Sequence, residues 1–232
     1  MTHPKFPFYL FPPLPTQPTA HAKICTPYLL ARWQAYTGRR RPFAENEGAE
    51  NTCFSIACKQ VFTLEDIHLT KPAFVMAWAA SQKIYSPSNP GEKVAQIVGG
   101  EVAANIQDKK NPWRNTCAVR MSYILNQSGV IIPATPGKTK KGSDHRHYFY
   151  RVRDVIAFLK FRWGAPQVLA YPPAGGRSFA GKKGVILFEV HGWTDASGHA
   201  TLFNGTSCYD HCYFNEPGVT YRTSQAHFWP LK

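Results

Sequence analysis

The sequence predicts an α+β fold in which helices come first and an antiparallel β-hairpin follows. Between Ala73 and Phe161, apolar residues recur at intervals of three and four, as they do on the buried face of a helix. From Gly184 onward, the pattern changes to short runs rich in β-branched and aromatic residues, which are separated by glycine and asparagine turns. We therefore expect helices packed on an antiparallel sheet.

Residues 1–72 are predicted to form a Pro-rich, basic extension that is partly disordered and has no assignable function, ahead of a domain at 73–232. Six prolines within the first 20 residues prevent a helix or a central strand from running through that segment. The segment also lacks the basic start and unbroken apolar stretch of a signal peptide. The run Arg39–Arg41 is predicted to be a solvated loop, with nucleic-acid or membrane contact as the alternative.

Composition limits the classes of partner. The 232 residues carry a formal net charge of +13 and are 44% hydrophobic. The chain can bury a core, but it has no apolar run of the roughly 18 residues that a membrane helix needs. The charge indicates an anionic partner, such as nucleic acid, lipid headgroups or a cell-wall polymer. The six cysteines are too sparse for a disulfide scaffold and lack the spacing of a zinc site.

Several elements are predicted within the domain. The helical segments are Ala73–Lys83, Glu92–Ile97, the stretch that starts at Cys117, and the part of Tyr148–Phe161 that starts near Asp154. A short strand is predicted at Val130–Ile132, and a mobile loop rich in lysine and glycine at Gly137–Asp144.

The segment Asn115–Gly129 places Cys117 at the start of a buried helix. Asn115 or Thr116 can cap this helix, and Gly129 can end it. Because the first N–H groups of a helix lack intrahelical partners and the dipole favours negative charge, a thiolate there is stabilised and its pKa falls. The alternative is a buried cysteine that acts as a small apolar residue.

The last third predicts a hairpin that pairs a histidine with an aspartate. Its parts are a buried central strand at Gly184–Val190, a strand at His199–Phe203, a two-residue turn at Asn204-Gly205 and a returning strand at Thr206–Phe214. In that register His199 faces Asp210, with Cβ atoms about 5 Å apart. The carboxylate can then accept the imidazole N–H and orient the ring. A bulge or a longer turn would shift this pairing.

A cysteine at a helix start and an oriented histidine on the following sheet are the elements of papain-like catalysis. Cys117 would be the nucleophile, His199 would exchange the proton, and the N–H of Cys117 would donate to the oxyanion. Taken singly, His199 suits a hydrogen-bonded strand histidine and Asp210 a turn or surface carboxylate. Together with Cys117, they favour a catalytic interpretation.

Cys208 and Cys212 flank the predicted aspartate. In a regular strand, their Cα atoms would lie roughly 13 Å apart, which is too far for a disulfide. A bond between them would require a bend across Tyr209–His211. It would then clamp the loop that carries Asp210 and imply an oxidising compartment.

The sequence resembles the fourth family of type VI secretion amidase effectors, which are NlpC-type papain-like cysteine amidases. The resemblance covers Ala73 to Lys232 in order and leaves out residues 1–72. Phe203 stands where the family often has tryptophan, which is a conservative difference. The matching segments are Gly99–Ile106, Asn115–Pro133, Tyr150–Leu159 and Gly181–Phe214.

The resemblance implies a hydrolase of the amide bond between γ-D-glutamate and meso-diaminopimelate in peptidoglycan stem peptides. Carried over by position, Cys117 is the nucleophile, His199 the base and Asp210 the orienting acid. Cys208 and Cys212 correspond to a pair that could form a disulfide in such proteins. No metal or organic cofactor is implied.

The resemblance also implies partners and a location. The protein would be made in the cytoplasm without a signal peptide, exported by the type VI secretion apparatus and delivered to a target cell's periplasm. There it would act on peptidoglycan, and a cognate immunity protein would neutralise it. Neither membrane insertion nor nucleic-acid binding is expected.

Substrate contacts are less well defined. Trp113, Arg120 and the Lys138–Lys141 loop are candidates, although Arg120 suits a structural ion pair equally well. One alternative function is a papain-like hydrolase of another amide or ester. The other is a basic nucleic-acid-binding module, which the scattered Lys and Arg residues and the lack of an RNP-like or zinc-finger signature disfavour. Salt-sensitive binding that survives Cys117→Ala would favour that module.

Overall fold

The computed structural model describes residues 71–232, so the predicted extension lies outside the described residues except for its last two positions. Within the described range, the helices are α1 (Phe74–Ile84), α2 (Pro90–Val98), α3 (Gly100–Ile106), α4 (Cys117–Gln127) and α5 (Val152–Trp163). The strands are β1 (Thr139–Lys141), β2 (His147–Phe149), β3 (Gln167–Ala170), β4 (Gly184–His191), β5 (Gly198–Phe203) and β6 (Arg222–Pro230). A 3-10 helix spans Ala174–Phe179. None of the described helices is long and apolar enough to cross a membrane.

The main sheet is antiparallel, with strand order β3-β6-β4-β5. Strand β4 is central and nearly buried along its length, which confirms the prediction from its continuous apolar run. Strand β5 is at the edge of the sheet, yet all six of its residues are buried. Helices α4 and α5 pack against β5 and cover it, so residues on this edge strand can form part of a sheltered site.

The side chains of β4 alternate between two layers. Ile186, Phe188 and Val190 join an aromatic cluster with Phe179 and Phe228. Each fully buried side chain of this kind contributes about 1.5–3 kcal/mol relative to an exposed one. Together with the packing of α4 and α5 on β5, this cluster fixes the positions of the residues on β5.

Helix α4 is anchored by polar groups as well as by its apolar face. Ser122 Oγ donates to the carbonyl of Ala118 at 2.8 Å and accepts the N–H of Phe149 at 3.0 Å. The Asn126 amide donates to the carbonyl of His147 at 3.0 Å and accepts the N–H of Ile132 at 3.0 Å. These bonds hold α4 against β2. The bond to Ile132 also shows why the predicted strand at Val130–Ile132 is wrong: that segment is coil.

The predicted returning strand at Thr206–Phe214 is also wrong. The turn is displaced by one residue from the predicted one, because the N–H of Asn204 donates to the Ser207 carbonyl at 2.9 Å and encloses Gly205 and Thr206. The Asn204 side-chain oxygen accepts the N–H groups of Thr206 and Ser207 and stabilises this turn. Phe203 then bridges to Cys208 instead of Thr206, and the segment beyond is irregular. The partner strand of β5 is β4, where His199 lies opposite Phe188.

Candidate active site

Cys117 is the first residue of α4 and is only 3% exposed. Thr116 occupies the N-cap position but makes no side-chain cap bond. Instead, the Asn115 side-chain oxygen accepts the N–H of Cys117 at a long 3.4 Å. The thiol Sγ lies 3.8 Å from the carbonyl oxygen of Gly198 on β5. The thiol is therefore held between the start of a helix and the edge strand that carries His199.

His199 is buried and lies between the thiol and a carboxylate. Its Nε2 is 3.1 Å from Oδ2 of Asp210, which leaves Nδ1 as the ring nitrogen for the hydrogen bond with Cys117. The ring packs against Tyr213 edge to face, with a centroid distance of 4.8 Å. These contacts fix the ring plane, and the bond to Asp210 sets which nitrogen faces the sulfur.

The sequence predicts that Asp210 lies on the returning strand of the hairpin. In the structure, Asp210 lies instead on the irregular loop after β5. A disulfide joins Cys208 and Cys212, with their Cα atoms 5.3 Å apart, and bends the loop between them. This bend brings Asp210 into contact with His199. Thr201 Oγ1, also on β5, donates to Oδ1 of Asp210 at 2.5 Å. The carboxylate is thus held by the loop disulfide and by side-chain donors.

Arg120 supplies another of these donors. It lies three residues after Cys117 on α4, is 6% exposed, and its Nη2 donates to Oδ2 of Asp210 at 2.8 Å. Its Nη1 donates to Thr116 Oγ1 at 3.0 Å, and its Nε to the Tyr209 hydroxyl at 3.2 Å. With all three guanidinium nitrogens engaged inside the protein, the geometry supports the structural ion pair that the sequence left open.

The charges of this cluster shift each pKa. Burial alone would raise the pKa of the Cys117 thiol, but the hydrogen bond and charge of His199, together with Arg120, lower it below its ordinary value. Burial opposes ionisation of His199, but the charge of Asp210 outweighs it and raises the pKa to about 9. Against burial, His199 and Arg120 hold the pKa of Asp210 well below its usual range. The cluster therefore favours a thiolate beside an imidazolium.

A groove of about 760 Å³ opens beside Cys117. Trp113 lines it and stacks on Tyr150 with a centroid distance of 4.9 Å, so this candidate does face the space in front of the thiol. The Lys138–Lys141 segment is not among the residues that line the groove, and Lys140 instead pairs with Glu101 at 3.6 Å. Within residues 71–232, no cluster of three or more metal-ligating side chains occurs.

Comparisons with known proteins show which family the chain is similar to. A family model described as type VI secretion system (T6SS) amidase effector protein 4, or Tae4, matches residues 113–229. The crystal structure of the Tae4–Tai4 effector–immunity complex from Enterobacter cloacae is 39% identical, with a TM-score of 0.63, and covers 70% of this chain and 100% of that chain. No curated protein matches the chain significantly.

Two further crystal structures give the same picture. Tae4 from Salmonella typhimurium, in complex with the immunity protein Tai4 from Enterobacter cloacae, is 36% identical with a TM-score of 0.62 and covers 70% of this chain and 100% of that chain. Tae4 from Enterobacter cloacae is 38% identical with a TM-score of 0.62, and covers 70% of this chain and 98% of that chain.

The fold is thus that of an α+β, papain-like domain, in which a helix that begins at a cysteine packs on an antiparallel sheet. The chain belongs to the Tae4 family of type VI secretion amidase effectors. Membership makes it an antibacterial amidase effector directed at peptidoglycan. The resemblance seen in the sequence is confirmed.

Proposed function

We propose that the protein hydrolyses the amide bond between γ-D-glutamate and meso-diaminopimelate in peptidoglycan stem peptides by a Cys117–His199–Asp210 thiol mechanism. The observation that carries this proposal is the unbroken row of contacts from the thiol through the imidazole to the carboxylate, located where the groove meets α4. The proposal assigns the catalytic domain to residues 73–232.

In the acylation half of the reaction, the Cys117 thiolate attacks the carbonyl carbon of the scissile amide. The N–H of Cys117 donates to the oxygen that becomes negative, and it is available because its bond to Asn115 is long. The His199 imidazolium then gives its proton to the leaving amine, the C–N bond breaks, and a thioester remains on Cys117. Asp210 keeps the ring oriented and stabilises its charge.

In the second half of the reaction, water replaces the amine. His199, now neutral, takes a proton from the attacking water while the new C–O bond forms. The tetrahedral intermediate collapses, the thiolate leaves, and the free carboxylic acid is released. The thiolate–imidazolium pair is restored, so no external oxidant, reductant or cofactor enters the cycle.

The proposal includes a partner and a location. The relatives from Enterobacter cloacae and Salmonella typhimurium are seen in complex with Tai4 immunity proteins. We extend this to a cognate immunity protein for this chain, and we place its action in the periplasm of the target cell, where stem peptides are accessible. The loop disulfide between Cys208 and Cys212 suits that oxidising compartment.

The test is digestion of purified peptidoglycan that contains meso-diaminopimelate, with the products read by mass spectrometry. Wild type is expected to release fragments that end in D-glutamate, and Cys117→Ala is expected to release none. Thermal unfolding should show that both proteins are folded. If folded wild type with a free Cys117 thiol and an intact Cys208–Cys212 disulfide leaves the wall intact or cuts another bond, the proposed bond specificity is refuted.

A further inference from the structure

The groove beside Cys117 is rich in arginine. Arg114, Arg151 and Arg153 line it, whereas among the described lining residues Asp195 is the only acidic one. The basic residues come from two places, the segment just before α4 and the start of α5. A cationic wall on a groove that leads to the thiol indicates that the bound substrate carries negative charge.

One of the three arginines is already neutralised inside the protein. Arg151 Nε donates to Oδ2 of Asp154 at 2.6 Å, and its Nη2 donates to the carbonyl of Gly137 at 2.7 Å. Its guanidinium also lies over the ring of Tyr150, 5.0 Å from the centroid. Arg151 is therefore best explained as a support for the groove wall.

Arg114 and Arg153 are different. Both side chains are exposed, and neither has a hydrogen-bond or ion-pair partner among the described residues. Arg114 precedes Cys117 by three residues, and Arg153 is in the first turn of α5 beside Val152, which also lines the groove. Each guanidinium can therefore use its full fork of donors on a ligand in the groove.

The chemistry of the substrate supplies matching acceptors, a step that rests on the proposed function. A glutamate linked through its γ-carboxyl group keeps its α-carboxylate free, close to the scissile carbonyl. Diaminopimelate is linked to glutamate through the amine of one stereocentre, whose own carboxyl group forms the peptide bond to the next residue, and it keeps a free carboxylate on its other stereocentre. The scissile amide thus has one free carboxylate on each side, and a guanidinium binds a carboxylate through two parallel N–H···O bonds.

We propose that Arg114 and Arg153 are specificity-determining residues that bind the two free carboxylates on either side of the scissile amide. Each arginine binds one of them, so that the peptide is drawn across the groove with the amide over Cys117. The stacked rings of Trp113 and Tyr150 form the apolar part of the same wall. Stem peptides whose carboxylates are converted to amides lose these contacts and become poor substrates.

The test combines enzyme variants with substrate variants. The substrates are three synthetic stem peptides: one with both carboxylates free, one with the glutamate α-carboxylate amidated, and one with the carboxylate on the distal stereocentre of diaminopimelate amidated. The enzymes are wild type, Arg114→Gln, Arg153→Gln and the control Lys160→Gln. Lys160 is exposed in the last turn of α5 and lies outside the groove. Its variant therefore removes one positive charge from the helix that also carries Arg153.

Loss of one charge-assisted bidentate contact is expected to lower kcat/KM about tenfold. Each arginine variant should show this loss on the free peptide, and on the amidated peptide that keeps the carboxylate bound by that arginine. On the peptide in which that carboxylate is amidated, the variant should be as active as wild type. Lys160→Gln should match wild type on all three. Unfolding midpoints should stay unchanged, because neither arginine has an internal partner to lose.

The possible failures are distinguishable. If wild type cleaves the free and amidated peptides at equal rates, or the arginine variants lose the same factor on every peptide, the carboxylate assignment is refuted while the proposed function stands. If wild type cleaves none of the peptides, the proposed function is refuted and this assignment falls with it.

Discussion

Arg120→Met tests whether the buried guanidinium holds the catalytic carboxylate in place. Methionine has a flexible apolar side chain that can fill the space left by arginine. However, the substitution removes the three internal hydrogen bonds to Thr116, Tyr209 and Asp210, and leaves the buried carboxylate without its cation. Removing one partner of a buried ion pair typically costs about 3–5 kcal/mol. We therefore expect the free energy of unfolding to fall by at least about 3 kcal/mol.

The same change should lower kcat. Asp210 would still bind Thr201 and His199, but it would no longer be fixed relative to α4, which carries the thiol. Arg120→Lys keeps the charge but loses the planar fork, so its losses should be smaller than those of the methionine variant. Lowered kcat with nearly unchanged KM would identify a positioning role, because a residue that binds substrate would change KM.

The assay is urea unfolding with the disulfide intact, followed by initial rates on a synthetic stem peptide. Exposed Arg177→Met is the matched control, and surface changes of this kind usually stay within about 0.5 kcal/mol of wild type. An Arg120→Met protein that keeps wild-type stability to within about 1 kcal/mol and full kcat would refute the reasoning.

Three further predictions concern the same site. Because the pKa of His199 is raised to about 9, its imidazolium form is lost above that pH, so kcat/KM should fall as pH rises through about 9. Asp210→Asn removes the charge that raises this pKa and should move the fall to lower pH. The bond between Cys208 and Cys212 spans a sequence separation of only 4, so its reduction should cost about 2 kcal/mol of stability and also lower kcat. In Gly198→Ala, the new Cβ would lie 2.4 Å from a carbonyl oxygen of β4, which should destabilise the protein by about 1–3 kcal/mol.

Each of these predictions has a control. An alkaline limb that stays in place in Asp210→Asn would contradict the assigned cause of the pKa shift. A variant with both Cys208→Ser and Cys212→Ser should have the lower kcat without any reductant, and phosphine reductant should not change it further. This control separates the effect of the loop disulfide from any effect of the reductant on the Cys117 thiol. Gly91→Ala is the control for Gly198→Ala, because its new Cβ would make only an ordinary contact at 3.7 Å.

Features that depend on neighbouring residues could be predicted from the sequence. The helix that starts at Cys117 follows from apolar periodicity and from the polar residues just before it, and the structure confirms its bounds to within one or two residues. The central position of Gly184–Val190 follows from its continuous apolar run, because a strand buried on both faces has no polar side. Both signals are local, so no knowledge of distant contacts is required.

The hairpin shows where local reasoning fails. Asn204-Gly205 is compatible with a two-residue turn, but the turn lies one residue later, at Gly205 and Thr206, and the sheet pairs β5 with β4. Strand β6 was missed altogether, and it lies between β3 and β4 in the sheet. Strand partners are chosen by the packing of the whole domain, which a local pattern does not record.

The sequence by itself determined that helices precede the main antiparallel sheet, the helix-start cysteine and the family resemblance, because each depends on residue types at short spacings. Only the tertiary structure decided that Arg120 lies against Asp210, 90 residues later in the chain, and that Arg114 and Arg153 line one groove. An arginine three residues after the cysteine, on a helix predicted to be buried, hinted at a buried partner. Its identity depends on how the loop after β5 bends back over α4, and that bend results from long-range packing and the disulfide.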